Sequence, residues 1–312
     1  MSDLLQDDLA QSEPRRRIKA PRFAMAIPAW FWFILFFAIP VLWIAYYSLG
    51  YKPNFFTTIA TDKLSFAQYG TALSGTFLTT FRNTLQISIL GTFLCLIIGF
   101  PFAYWLAVRV PARWRGILLG LVIVPFWTNF LVRTIGWRIL LNANGPLATL
   151  MNDLGLHNGP FAILDTKFAV QLGVVYNYLP LMILPVFVAL DRLDPAMREA
   201  SKDLGANRLK TFRQVTVPLA FPGIVAGALL VFIPLTGDYI TAAVLGGAKG
   251  NMVGRMVADQ FLVAQNWALG SAMAIVLIGM IMLVVAIFGA FGLAARALIR
   301  RNRRVTLEGV PA

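Results

Sequence analysis

A chain of 312 residues in which 58% of side chains are hydrophobic and 13% charged lacks the polar residues to cover a water-soluble globule, whose usual shares are about 45–50% and about 25%. Its net charge of +13 does not describe a nucleic-acid surface, because the lysines and arginines punctuate apolar blocks instead of forming a stripe among polar residues. One cysteine and one histidine exclude a disulfide and a Cys/His metal cluster.

Residues 1–26 form a basic arm with no recognisable signal, read as disordered and cytoplasmic. The first apolar block, Ile27 to Leu49, begins too late and runs too long for a cleavable signal peptide and reads as a retained anchor. A spanning segment needs about 20 apolar residues in a helix, since lipid offers nothing to an unpaired backbone. Further blocks of this kind run from Asn83 to Val108, from Gly116 to Val132 and on past Arg133, from Phe168 to Leu190, and from Trp267 to Ala295. Phe221 to Ala248 is similar but carries Asp238. Cys95 lies inside one block and reads as a lipid-side or packing residue, while His157 lies in a polar loop. In that loop, 142–167, Leu147, Leu150, Met151 and Leu154 recur at helical spacing. They predict a short amphipathic helix that rests on the membrane, caps the bundle or docks an outside partner. Pro101, Pro125, Pro180, Pro185, Pro234 and Gly237 interrupt spans, which is common in membrane helices and proves no transport role.

The expectation is therefore an all-α integral membrane protein of six transmembrane helices, one domain over residues 27–295, with a basic tail at 296–312. Positive charge is retained in cytoplasmic loops. It gathers at Arg15, Arg16, Arg17, Lys19 and Arg22, at Arg109, Arg113 and Arg115, between Arg192 and Arg213, and from Arg296 to Arg304. With six spans this places both termini in the cytoplasm and the protein in the cell's inner membrane.

The connection 191–218 is the most informative stretch. Asp194 followed by Pro195 is a helix start, because the carboxylate accepts orphan amide protons and proline has none to offer. Met197, Ala200 and Leu204 share a face. Gly205 suits a helix end, and Asn207 can cap a second helix carrying Leu209 and Phe212. The result is a short helix-turn-helix on the cytoplasmic surface.

Here the chain resembles the permease subunits of binding-protein-dependent ABC importers, whose loop reads Glu-Ala-Ala, three residues, Gly, nine residues, then Ile-x-Leu-Pro. Glu199, Ala200, Ser201, Gly205, Val215, Val217 and Pro218 carry the match. Ser201 stands where the family often has Ala, and Val215 and Val217 replace other branched aliphatics. The resemblance implies a type I importer permease bundle. In it Glu199, Ala200, Ser201, Asp203, Leu204, Gly205, Ala206 and Leu209 would form a coupling helix seated in a groove of an ATPase subunit. An ordinary basic loop obeying the charge rule is the plainer reading. No Gly-x-x-x-x-Gly-Lys-Ser/Thr stretch occurs. ATP and Mg are thus expected on a partner ATPase dimer, and no cofactor on this chain. The resemblance further implies a second, homologous permease subunit and an external solute-binding protein.

Two stretches are similar to the spermidine/putrescine branch of that family: Pro125 to Arg133, and Pro234 to Tyr239 with Leu245 to Ala248 behind it. They imply a polyamine or similar small cation as solute, with another small organic solute as the alternative. An ionisable group within a membrane is costly and faces a partner charge or a water-filled path. Asp238 could offer its carboxylate to a passing ammonium group, or pair internally with Arg133 or Arg138. Trp127, Tyr176, Tyr178 and Tyr239 could line such a path through cation–π contacts, or could simply anchor and pack; Asn129 and Arg133 join them as pathway candidates. An ion-coupled carrier would not need the coupling pattern and commonly carries internal repeats, of which none is convincing here. A membrane enzyme would need a nucleophile and base or a metal cluster, and neither is assembled by these residues.

Overall fold

The computed structural model describes residues 26–73, 75–156 and 163–302, with side chains to residue 290. The N-terminal arm, His157 and the end of the basic tail lie outside the described residues. Two compact units are present, dividing at Tyr46/Tyr47.

The first unit is essentially helix α1, Ile27–Tyr47, 21 residues long and interrupted by one wide turn at Ile34–Ala38. Pro28 occupies its first turn, where a missing N–H costs nothing. None of the side chains of its first two segments is buried, and Trp32 on Phe36 and Phe33 on Phe37 stack one turn apart. A helix this apolar and this uncovered suits hydrocarbon.

In the second unit α2, Ala67–Ala72, precedes α3, Gly75–Val108. Then come α4, Ala112–Ile123, extended by a tight turn to Trp127, and α5, Phe130–Leu140. The amphipathic helix expected in the next loop is α6, Pro146–Asp153. It buries Ala148 and leaves Leu150 and Leu154 exposed. After it come α7, Lys167–Asp191; α8, Pro195–Asp203; α9, Arg208–Thr236; α10, Ile240–Leu245; α11, Val253–Leu262; and α12, Trp267–Asn302. Among the described residues there is no strand, only one isolated bridge between Tyr51 and Ala60.

Five helices, α1, α3, α7, α9 and α12, are long and apolar enough to cross a membrane. A sixth crossing is made only if α4 and α5 are counted together, and they meet at 86°. The span expected from Gly116 past Arg133 is broken: the chain turns at Thr128–Asn129, where Thr128 is extended and Asn129 restarts the helix by accepting from the Leu131 amide at 2.8 Å. The block expected from Phe221 to Ala248 is corrected. That span starts at Arg208 and ends at Thr236, and Gly237 to Tyr239 separate it from α10. Hydropathy averages over a window and passes through such breaks, whereas hydrogen-bonded helix does not.

The core is built where α3, α7 and α9 approach through small residues. Gly91 faces Gln171 and Val174, and Gly99 faces Met182 and Ile183, so α3 and α7 run parallel. Gly227 meets Met182 and Gly223 meets Pro185 and Ala189, so α9 runs antiparallel to both. Lipid tails are as apolar as leucine, so close backbone approach supplies the packing energy here. Cys95, Val174, Met182, Val186, Val231 and Leu235 fill the centre, which resolves Cys95 as a packing residue. A smaller cluster of Ala72, Phe77, Val253, Ala272, Met273 and Leu277 joins α2, α3, α11 and α12.

A Cβ on Gly223 would collide with the Pro185 carbonyl and the Ala189 methyl, neither of which can swing away. Gly223→Leu is expected to destabilise the bundle by about 1–3 kcal/mol or more. Gly120→Leu, where no atom lies within 4 Å, should leave thermal unfolding of the purified chain in detergent unchanged or slightly raised.

Candidate functional site: a coupling segment and two broken helices

The first candidate is the exposed segment between α7 and α9. Asp194 accepts from the Ala196 amide at 2.9 Å and starts α8. Gly205, at φ +81°, ends it: its amide donates to the Lys202 carbonyl at 2.8 Å and the Ala206 amide to the Ser201 carbonyl at 3.1 Å. Asn207 then accepts from the Lys210 amide at 2.8 Å. The second helix expected after Asn207 is formed at Arg208–Thr211, with Asn207 as its cap, and it runs on into the span. The turn at Arg208–Thr211 passes through a wide turn at Phe212–Thr216 directly into the span, so α8 sits on the end of α9 with only the short 204–207 turn between them.

Ser201 and Thr211 hydroxyls meet at 3.1 Å and tie α8 back to that end. Phe212 sits edge-on between Phe100 and Tyr104 of α3, at 5.7 and 5.5 Å. Arg115, at the start of α4, bonds Asp191 at the end of α7. No residue of α8 is buried. Glu199, Ala200, Asp203, Leu204, Gly205 and Leu209 are exposed and Ser201 and Ala206 half-buried, with Leu204 at 89% and Leu209 at 64%. Two large apolar side chains, Leu204 and Leu209, are thus held outward on a charged segment, the kind of exposed apolar surface that marks candidate interaction sites.

The second candidate lies where α4/α5 and α9/α10 break. Both restarted helices pack against α7 and against each other. Asn177 donates to the Thr134 hydroxyl at 3.2 Å, Phe130 and Tyr178 meet edge to face at 6.1 Å, and Arg138 donates to the Val244 carbonyl. Asp238 is 6% exposed. It caps α10 by accepting from the Thr241 amide at 2.9 Å and from the Thr241 hydroxyl. The Tyr178 hydroxyl interacts with the same carboxylate. Gly254 abuts the Gly237 carbonyl, so α11 braces the break from behind.

The internal ion pair considered for Asp238 is not formed. Arg133 lies over the rings of Phe126 and Phe130, at 4.9 and 5.7 Å, and donates to the Pro125 carbonyl at 3.1 Å; Arg138 is committed to Val244. The ion pairs among the described residues are Arg115–Asp191 and Arg255–Asp259. Tyr178, Arg133 and Asp238 thus gather at the break. Asn129 serves as a helix cap, Tyr176 packs on Trp137 at 5.5 Å, and Trp127 and Tyr239 stand exposed at 84% and 46%. Thr241, Asn177, Thr134, Phe126 and Gly254 belong to the same region and escape detection from sequence. Only Thr241, three residues after an aspartate at a helix start, leaves a local signal.

Five or six apolar helices, two of them interrupted, and an exposed helical segment between two spans define the class as a multi-pass membrane protein. The chain belongs to the family described as the binding-protein-dependent transport system inner membrane component, whose model matches residues 99–304. It is a multi-pass inner-membrane protein. It is 42% identical over 226 residues, 72% of this chain and 77% of the relative, to the spermidine/putrescine transport system permease protein PotB of Haemophilus influenzae. To the protein of that name from Escherichia coli it is 35% identical over 280 residues, 89% and 98% of the two chains. Its fold matches a chain of a bacterial ABC transporter involved in import of the acidic polysaccharide alginate, with a TM-score of 0.66, 98% of each chain covered and 16% identity.

Proposed function

We propose that this chain is a transmembrane permease subunit of an ATP-driven importer that carries polyamines of the putrescine/spermidine type into the cytoplasm. The carrying observation is Asp238, a buried carboxylate at a helix break with no cationic side chain among the described residues bonded to it, in a chain similar to permeases named for these solutes. A charge left unpaired within a membrane faces a path or a passing counter-ion, and an ammonium group is that counter-ion. Tyr178 beside it adds an aromatic face and a hydroxyl that suit an alkyl-ammonium chain.

The remaining assembly is inferred from chemistry that this sequence lacks. With no phosphate-binding loop in the chain, ATP and Mg belong to a partner ATPase dimer, docked on Glu199 to Leu209 from the cytoplasm. A second permease subunit and an external binding protein complete the importer, and both termini lie inside. In this arrangement closure of the ATPase pushes α8, and α8 moves α9 together with its break.

The test is uptake of labelled putrescine and spermidine by cells lacking this chain. Expression of the wild type is expected to restore uptake that depends on ATP and is lost when the ATPase subunit is removed. Restored uptake of a different small solute, with none of either polyamine, would overturn the solute and retain the importer.

A further inference from the structure

We infer that the outward groove between α3 and α7 is a binding site for an anionic phospholipid, with the phosphate held by Arg82 and Lys167 and an acyl chain lying along α3. The groove has a volume of about 720 Å³ and is open on one side. It is lined by Leu85, Ile89 and Phe93 of α3, which recur every four residues and so form one stripe down the helix, by Leu90 beside them, and by Phe168 of α7.

Both cations sit at the same end. Lys167 opens α7, and α3 runs parallel to it, so Arg82 and Lys167 crown the groove at the end of the bundle opposite Asp191 and the coupling segment. Both are exposed, neither pairs with a carboxylate among the described residues, and no acidic residue lines the groove. Gln171 lies one turn below Lys167 on the same face. It is 8% exposed, and its buried Nε2 has no hydrogen-bond acceptor. An amide donor left unsatisfied at an apolar depth is costly. That atom has no accessible surface and lies against Gly91, so it belongs to the α3–α7 contact and not to the lipid site. Two cations at the interface and an apolar stripe below them repeat the order of charge and chain in an anionic phospholipid. A second permease helix would satisfy the stripe but leave the two positive charges unanswered.

The probe is native mass spectrometry of the purified full chain, with any subunits that accompany it, titrated with dioleoylphosphatidylglycerol or dioleoylphosphatidylcholine. Two interfacial cations should favour the anionic lipid by about thirtyfold. That preference should vanish in R82Q/K167Q. Equal binding of the two lipids by the wild type, or a preference that survives in R82Q/K167Q, would overturn the site. A second measurement needs no charge variant: a photo-crosslinking residue at Ile89 should capture radiolabelled phosphatidylglycerol in membranes. Capture of protein alone there would mean that a subunit or another segment of this chain fills the groove, and would equally overturn the proposal.

Discussion

Asp238→Asn is expected to lower the initial rate of putrescine uptake by about two orders of magnitude while the protein accumulates and inserts normally. Asparagine caps helices as well as aspartate does, so the bond from the Thr241 amide, 2.9 Å in the wild type, survives and α10 keeps its start. The charge is what disappears. Truncating one partner of a buried charged hydrogen bond costs about 2–5 kcal/mol, and the solute ammonium would lose its counter-ion at the break. Asp238→Ala separates the two roles, because it removes the cap as well and should lower stability by about 1 kcal/mol more. Labelled uptake together with thermal unfolding in detergent reads both. Full uptake by Asp238→Asn would mean that the carboxylate serves only to start α10.

Gly205→Pro is expected to abolish transport without preventing membrane insertion. The backbone at Gly205 has φ +81°, a conformation proline cannot adopt because its ring holds φ near about −65°. The substitution also removes the amide that donates to the Lys202 carbonyl. Helix α8 would then leave α9 in a different direction, and Leu204 and Leu209 would no longer be presented together. Gly205→Ala tests conformation without the lost donor. No atom lies within 4 Å of the added Cβ, so its cost is the strain of a left-handed residue, about 1–2 kcal/mol, and uptake should fall only partly. Gly205→Asn, which tolerates that conformation, should transport close to the wild type. In the assembled transporter, Gly205→Pro should leave basal ATP hydrolysis in place and remove its stimulation by solute. Normal uptake by Gly205→Pro would show that this segment carries no mechanical signal.

The two sites differ in how legible they are. The exposed segment between α7 and α9 is nearly complete in the sequence because its signals are local: Asp194 before Pro195, Gly205 after Leu204, and Asn207 before Arg208 each act on groups within four residues. Its attachment is not legible, since Phe212 finds Phe100 and Tyr104 on a helix about a hundred positions earlier. Asp238 stands out for its charge, yet no local pattern chooses its partner among Arg133, Arg138 and a solute. That choice depends on Phe126, Phe130 and Pro125 claiming Arg133, and on Val244 claiming Arg138.

Local composition is enough to establish that the chain lives in a membrane, how many apolar blocks it has, and where the exposed helical segment between α7 and α9 begins and ends. Hydrocarbon admits only self-bonded backbone over a fixed thickness, and caps and turns depend on neighbours along the chain. It took the folded bundle to show that the third span turns by 86° at Thr128–Asn129, that α9 stops at Thr236, and that the two restarted helices meet against α7. Breaking a helix in an apolar setting strands polar backbone groups. Whether Pro125 or Gly237 marks such a break is decided by the groups nearby that receive them: Asn129, Asp238, and the close approach of Gly254. Those contacts are set by packing between distant segments, which no local pattern encodes.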